Sequence, residues 1–177
     1  MNNIVLCGFM GCGKSTVGRN LARKTGKRFV DMDAYIEKKT GKTISEIFTD
    51  QGEDGFRDIE HEVCLELADK SNLIIATGGG ALTFERNVRV FKGKDIIVLL
   101  DVPLEVSRER LAARQAATAT VADRIEQAGE MFHRRLRDGF LELAKAEPER
   151  FVVIDSSGPR EDVSKKVLAA VLPLEGS

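Results

Sequence analysis

Residues 4–16 read IVLCGFMGCGKST, an apolar run that breaks into glycines and ends on a lysine and two hydroxyls. The apolar run fits a short buried strand, and Lys14 to about Lys24 fits a helix. Between them, Gly8, Gly13, Lys14 and Ser15 satisfy G-x-x-x-x-G-K-[ST]. Glycines let successive backbone N–H groups curl around phosphate oxygens, and the following helix turns its positive end toward them. Gly11, Cys12, Gly13, Lys14, Ser15 and Thr16 are therefore expected to bind a nucleotide, with Lys14 on the outer phosphates and Ser15 on Mg²⁺. An ordinary glycine turn is the competing reading, but it does not require a strand before it and a helix after it.

The same alternation continues along the chain. RFVDMD, NLIIATGGG, DIIVLLDVP and RFVVID read as four further strands, separated by stretches with helical spacing. Strands that are unbroken apolar runs, alternating with helices, predict an α/β fold: a five-stranded parallel sheet with helices on both faces. Ligands of such sheets bind beyond the carboxyl ends of the strands. Gly8 to Ser15, Asp31 and Asp33, Gly78 to Gly80, and Asp101 all follow strands at that edge. With 177 residues, no internal repeat and no linker, a single domain over 1–177 is expected.

With 27 basic and 28 acidic residues, the chain lacks the basic excess of a nucleic-acid binder. It has no apolar run near the length of a membrane span, and its three cysteines form no disulfide or zinc pattern. A cytoplasmic location, a monomer, and neither nucleic-acid nor membrane partners are the resulting expectations.

Three other segments carry candidate chemistry. Asp31 and Asp33, two apart on a strand end, are expected to share a face. One carboxylate would serve Mg²⁺ and the other would accept a proton from an attacking hydroxyl. Arg57, in GFRDIE, offers a guanidinium near the start of a helix. Gly78, Gly79 and Gly80 allow a ligand to approach the backbone.

The glycine loop, DMD, GFRDIE and TGGGAL occur here in the order and at the separations found in shikimate kinases, and the chain resembles that family from residue 1 to about 106 and over its last forty or so. The resemblance implies a P-loop kinase fold and ATP-dependent phosphorylation of one hydroxyl of shikimate, a small cyclic acid, in aromatic amino-acid precursor biosynthesis. It implies that Asp33 takes the substrate hydroxyls, that Arg57 takes the carboxylate, and that Gly79 and Gly80 contact substrate through their backbone. Asp31 would serve Mg²⁺, Lys14 and Asp33 would be catalytic, and Arg110 would pack on adenine. A helix-surface cation paired with Glu109 or a neighbour is the plain alternative for Arg110.

The family also supplies a second substrate arginine from a late helix, here MFHRRLRDGFLELA, where position suggests Arg135. Helical spacing puts Phe132, Leu136, Phe140 and Leu143 on the buried face, which rejects Arg134 but does not choose between Arg135 and Arg137. In shikimate kinases a mobile lid, here about 110–125, carries an R-P-L-L motif whose arginine neutralises the transferring phosphoryl group. This chain has AATA at 116–119, so that motif is absent, and Arg114 and Arg124 are the nearby substitutes. Residues 113–124 fit either a flexible lid or an alanine-rich extension of a helix. Two alternatives stay open: a catalytically weakened nucleotide- or metabolite-binding homologue, and a P-loop kinase for another small hydroxylated acid.

Overall fold

The computed structural model describes residues 2–91, 93, 95–118 and 129–175. Five strands are joined by crossover helices: β1 (Ile4–Cys7), β2 (Arg28–Asp31), β3 (Leu73–Ala76), β4 (Ile96–Asp101) and β5 (Phe151–Asp155). All pairings are parallel, and the strand order is β2-β3-β1-β4-β5. The expected sheet is therefore present. β1 lies at its centre, and the order reverses beside β1, where open α/β sheets form their ligand crevice.

Successive side chains along each strand enter opposite cores, as the pleat requires. Val5, Cys7, Ile75, Ile97 and Leu99 face one side. They pack under α2 (Met32–Thr40), α3 (Ile44–Ala68) and α6 (Glu130–Ala146), through Ile36, Val63 and Phe140 among others. Ile4, Leu6, Ile74, Ile96, Val98 and Leu100 face the other, under α1 (Lys14–Thr25) and α7 (Arg160–Val171). Two short or peripheral helices complete the set: α4 (Glu85–Val90) and α5 (Leu104–Thr118). No helix among the described residues is long and apolar enough to cross a membrane.

The stretches TISEIFTDQG and FRDIEHEVCLELADK form two helical limbs of α3, joined at Gly52, where φ 71° and ψ −175° break the helix. The start of α3 is a capping box: the Thr43 hydroxyl accepts from Glu46 N, and the Glu46 carboxylate accepts from Thr43 N. Asp33 lies in the first turn of α2 and not on a strand, because the strand ends at Asp31, whose Oδ1 accepts from Ala34 N and caps that helix. The two aspartates therefore do not share a strand face.

The turn out of β1 depends on one glycine. Gly8 has φ 141°, and a Cβ there would stand 2.3 Å from the Leu100 carbonyl oxygen on β4. Any side chain would push the loop away from the sheet edge that it has to overhang.

Candidate active site

The loop between β1 and α1 is held by its carbonyls. Lys14 Nζ donates to Gly8 O at 2.7 Å, and Cys12 N donates to Phe9 O at 3.2 Å. Ser107 Oγ donates to Met10 O at 2.6 Å, Arg110 Nη1 to Gly11 O at 3.1 Å, and Ser156 Oγ to Cys12 O at 2.5 Å. Five consecutive carbonyls thus have protein donors, a backbone arrangement suited to leaving N–H groups for an anion. Gly11, Gly13, Lys14, Ser15 and Thr16 line a polar cavity of about 410 Å³ at the N-terminus of α1. Ser15 Oγ donates to Asp31 Oδ2 at 3.1 Å in the same cavity. That hydroxyl and carboxylate are oxygen donors of the kind a hard divalent cation takes alongside phosphate and water.

A second cavity, of about 530 Å³, adjoins the first, and Asp33 and Gly79 line both. The two limbs of bent α3 embrace it, one with Ile44 and Phe48, the other with Phe56, Arg57 and Glu60. Arg57 Nη1 donates to Glu60 Oε1 at 2.8 Å, and its guanidinium lies 5.3 Å from the Phe56 ring centre and 5.0 Å from that of Phe84. Its Nε is buried without a hydrogen-bond acceptor among the described residues, with Glu53 Oε1 3.9 Å away. Arg57 is thus oriented by Glu60 while retaining donor capacity toward an anionic guest.

The three glycines work by size. None of them has a positive φ. A Cβ at Gly78 would stand 2.9 Å from Asp33 Oδ1, and one at Gly80 would stand 3.0 Å from Arg57 Nη2. Side chains here would displace the Asp33 carboxylate and the Arg57 guanidinium, which both line the cavity.

Glu60 is almost wholly buried, and that burial raises its pKa above the ordinary 4.5, with Arg57 opposing the shift. The folded state then binds the Glu60 proton more tightly than the unfolded chain does. Unfolding free energy from this group accordingly falls as pH rises from about 4.5 through the raised value. Urea denaturation across that range should show the slope, and Glu60→Gln should remove it; an unchanged slope would mean that Arg57 fully compensates the burial.

The structure places the remaining candidates unevenly. Arg110 is not paired with Glu109: besides Gly11 O, it donates to Ser156 O at 2.6 Å and Gly158 O at 3.0 Å. Burial, with the nearby Arg160 charge, lowers its pKa, though a guanidinium stays charged. Arg135 is exposed on α6 and lines neither cavity. Arg137 makes a two-pronged pair with Asp101, Nε–Oδ1 2.9 Å and Nη2–Oδ2 3.0 Å. The expected face of α6 is largely kept, since Phe140 is buried and Leu136 and Leu143 pack against the core, but Phe132 is exposed and His133 is buried. The His133 ring takes the inward place, edge-on to Phe9 at 5.3 Å.

Residues 113–118, read as lid or helix extension, continue α5 as helix, while 119–128, Arg124 included, lie outside the described residues. Sequence reasoning missed Arg160. It lines the first cavity and donates to Thr16 Oγ1 at 2.5 Å. The signal was available, since Arg160 follows β5 at the same sheet edge as the other site segments.

Comparison with known proteins agrees with this geometry. A family model described as shikimate kinase matches residues 10–170. Shikimate kinase of Clostridium botulinum (strain Alaska E43 / Type E3) is 48% identical over 104 residues, 59% of this chain and 62% of that protein's length. Over that stretch the chain spans about three-fifths of the relative. Shikimate kinase of Acinetobacter baumannii (strain AYE) is 37% identical over 173 residues, 96% of this chain and 92% of the relative. Among solved structures, shikimate kinase from Acinetobacter baumannii in complex with shikimate superposes with a TM-score of 0.79 at 36% identity, covering 98% of this chain and 94% of that one. Shikimate kinase from Aquifex aeolicus gives a TM-score of 0.79 at 31% identity, covering 96% and 95%. A gluconokinase from Sinorhizobium meliloti, 19% identical with a TM-score of 0.67, shares the fold. Since the match runs through both cavities and along nearly the whole chain, the protein belongs to the shikimate kinase family.

Proposed function

We propose that the protein transfers the terminal phosphoryl group of ATP to a hydroxyl of shikimate, giving shikimate 3-phosphate and ADP. The observation that carries this reading is the pair of adjoining cavities, one built on the phosphate loop and one on Arg57, with Asp33 and Gly79 common to both. ATP phosphates occupy the first cavity against the N–H groups of Gly11, Gly13, Lys14, Ser15 and Thr16, while the N–H of Cys12, also expected to bind nucleotide, is spent on Phe9 O. Ser15 and Asp31 would hold Mg²⁺, which when bound neutralises phosphate charge. Arg110, fixed by three carbonyls, serves the adenine with the flat face of its guanidinium.

The acid occupies the second cavity, with its carboxylate on Arg57 and its ring against the backbone of Gly78, Gly79 and Gly80. The attacking hydroxyl points at Asp33. Its oxygen bonds to the terminal phosphorus, its proton passes to the Asp33 carboxylate, and the bond to the bridging oxygen breaks, releasing ADP. Lys14 stabilises the charge that accumulates on the outer phosphates. Arg135, if it is the second arginine for the carboxylate, requires α6 to approach the cavity when substrate binds. We read the chain as a single-domain monomer acting in the cytoplasm.

A second reading, binding without useful turnover, is favoured by one feature: residues 116–119 carry no positive side chain where the resemblance expects an arginine. ADP release, measured with Mg²⁺ and ATP in the presence and absence of shikimate, decides between them. Shikimate-dependent release is expected. Calorimetric binding of shikimate without release would support the second reading, and neither binding nor release would overturn the choice of substrate.

A further inference from the structure

Three successive glycines constrain their own backbone less than any other residues would, so the order of residues 78–80 has to come from outside them. Part of it comes from the turn that follows. Ala81 N donates to Gly78 O at 3.2 Å, Thr83 N to Gly80 O at 3.3 Å, and Thr83 Oγ1 to Gly80 O at 2.6 Å. One buried side chain then closes this turn from α4. Asn87, 1% exposed, donates from Nδ2 to Ala81 O at 2.9 Å. A carbonyl only accepts, so the amide's Oδ1 points the other way, where His61 Nδ1 on α3 lies 2.8 Å off. His61 therefore carries a hydrogen on Nδ1 and donates it. The backbone N of Asn87 also donates to Phe84 O at 3.0 Å.

The turn held in this way meets Arg57 twice. Gly80 packs so close to Arg57 Nη2 that it has no room for a Cβ, and the Phe84 ring stands 5.0 Å from the guanidinium carbon. Neither Asn87 nor His61 lines the acid cavity, so both act on it from behind.

We propose that Asn87 is a positioning residue for the acid site, fastening the turn that presents residues 78–80 to the substrate and Phe84 to Arg57. The proposal rests on the reading of the second cavity as the shikimate site. An amide suits the place because one rigid plane supplies a donor at one end and an acceptor at the other. Holding the turn before the acid arrives spares binding the cost of ordering it.

The test uses the full chain with Asn87→Leu, which keeps the approximate volume and loses both side-chain bonds. At a temperature well below Tm, the KM for shikimate should rise about tenfold while the KM for ATP stays within about twofold. Should the branched side chain prevent folding, Asn87→Ala is read in the same way. A lowered Tm with the KM for shikimate unchanged would overturn the proposal, as would equal rises in both KM values. If the unmodified protein neither binds nor phosphorylates shikimate, the substrate reading fails separately, and amide hydrogen exchange in the unliganded protein decides for Asn87. The N–H groups of Thr83 and Phe84, bonded to Gly80 O and Ala81 O, should then exchange about tenfold faster in the variant, relative to Val17 N on α1. Unchanged exchange at those two amides would overturn the positioning role.

Discussion

Lys14→Met is expected to abolish phosphoryl transfer while leaving the fold intact. In the structure the Lys14 ammonium reaches Gly8 O and lies 3.6 Å from Cys12 Sγ, so the side chain arches back over its own loop toward the sheet edge. There it serves as a point charge for the outer phosphates, and its three donors are not exhausted by one carbonyl. Methionine matches the length and apolar stem and removes only the ammonium. Losing one preorganised donor from a transition-state site costs roughly 10²–10³ in kcat, and a full charge beside a polyanion costs more. The fold should survive because Lys14 is half-buried at the first turn of α1 and neither hydrophobic core includes it. Circular dichroism and Tm close to those of the unmodified protein, with ADP release at background, are the expected result. Full activity would remove the phosphate loop from the mechanism altogether.

Arg57→Ala is expected to separate the two cavities. Arg57 lines only the acid cavity, so the KM for shikimate should rise about 30–100-fold, the value of one or two charge-assisted hydrogen bonds, while the KM for ATP stays within about twofold. The substitution also strips Glu60 of its partner, and an unpaired carboxylate in that setting becomes protonated or destabilises the chain. A lowered Tm alone would therefore say nothing about substrate. The double variant Arg57→Ala/Glu60→Gln distinguishes the two roles: it should regain stability and still fail to bind the acid. Parallel losses toward ATP and shikimate in that double variant would make Arg57 a structural residue only.

Much of this architecture was legible because it rests on local patterns. Unbroken apolar runs followed by glycines or aspartates marked the strands and the edge where ligands gather, and G-x-x-x-x-G-K-S marked the phosphate loop. What the sequence left hidden depends on contacts between distant segments. RFVDMD read as one strand reaching Asp33, whereas Asp31 is the cap of α2 and Asp33 lies in its first turn. Helical spacing alone favoured Phe132 for the interior, whereas the neighbouring His133 takes the inward place against Phe9, which belongs to the distant phosphate loop. Arg110 looked like a surface cation or a base-stacking group, and its three carbonyl acceptors come from two other loops. Arg160 stood at the right edge of the sheet, but no motif drew attention to it.

The bonds that shape the phosphate loop also bear on how the protein is made. Met10, Gly11 and Cys12 are secured by side chains 97, 99 and 144 positions further along the chain. The motif leaves the ribosome well before Ser156, so its working geometry waits for a residue 144 positions further on. Contacts of such long sequence separation form late and carry the heaviest loop-closure cost. A nascent chain halted after β4 would contain the entire motif and still lack the hydroxyl that holds Cys12. Nucleotide capture by the growing polypeptide should thus appear abruptly once Ser156 has emerged and folded, and ATP present in the cell would act as a ligand that rewards that late step and not the synthesis of the motif.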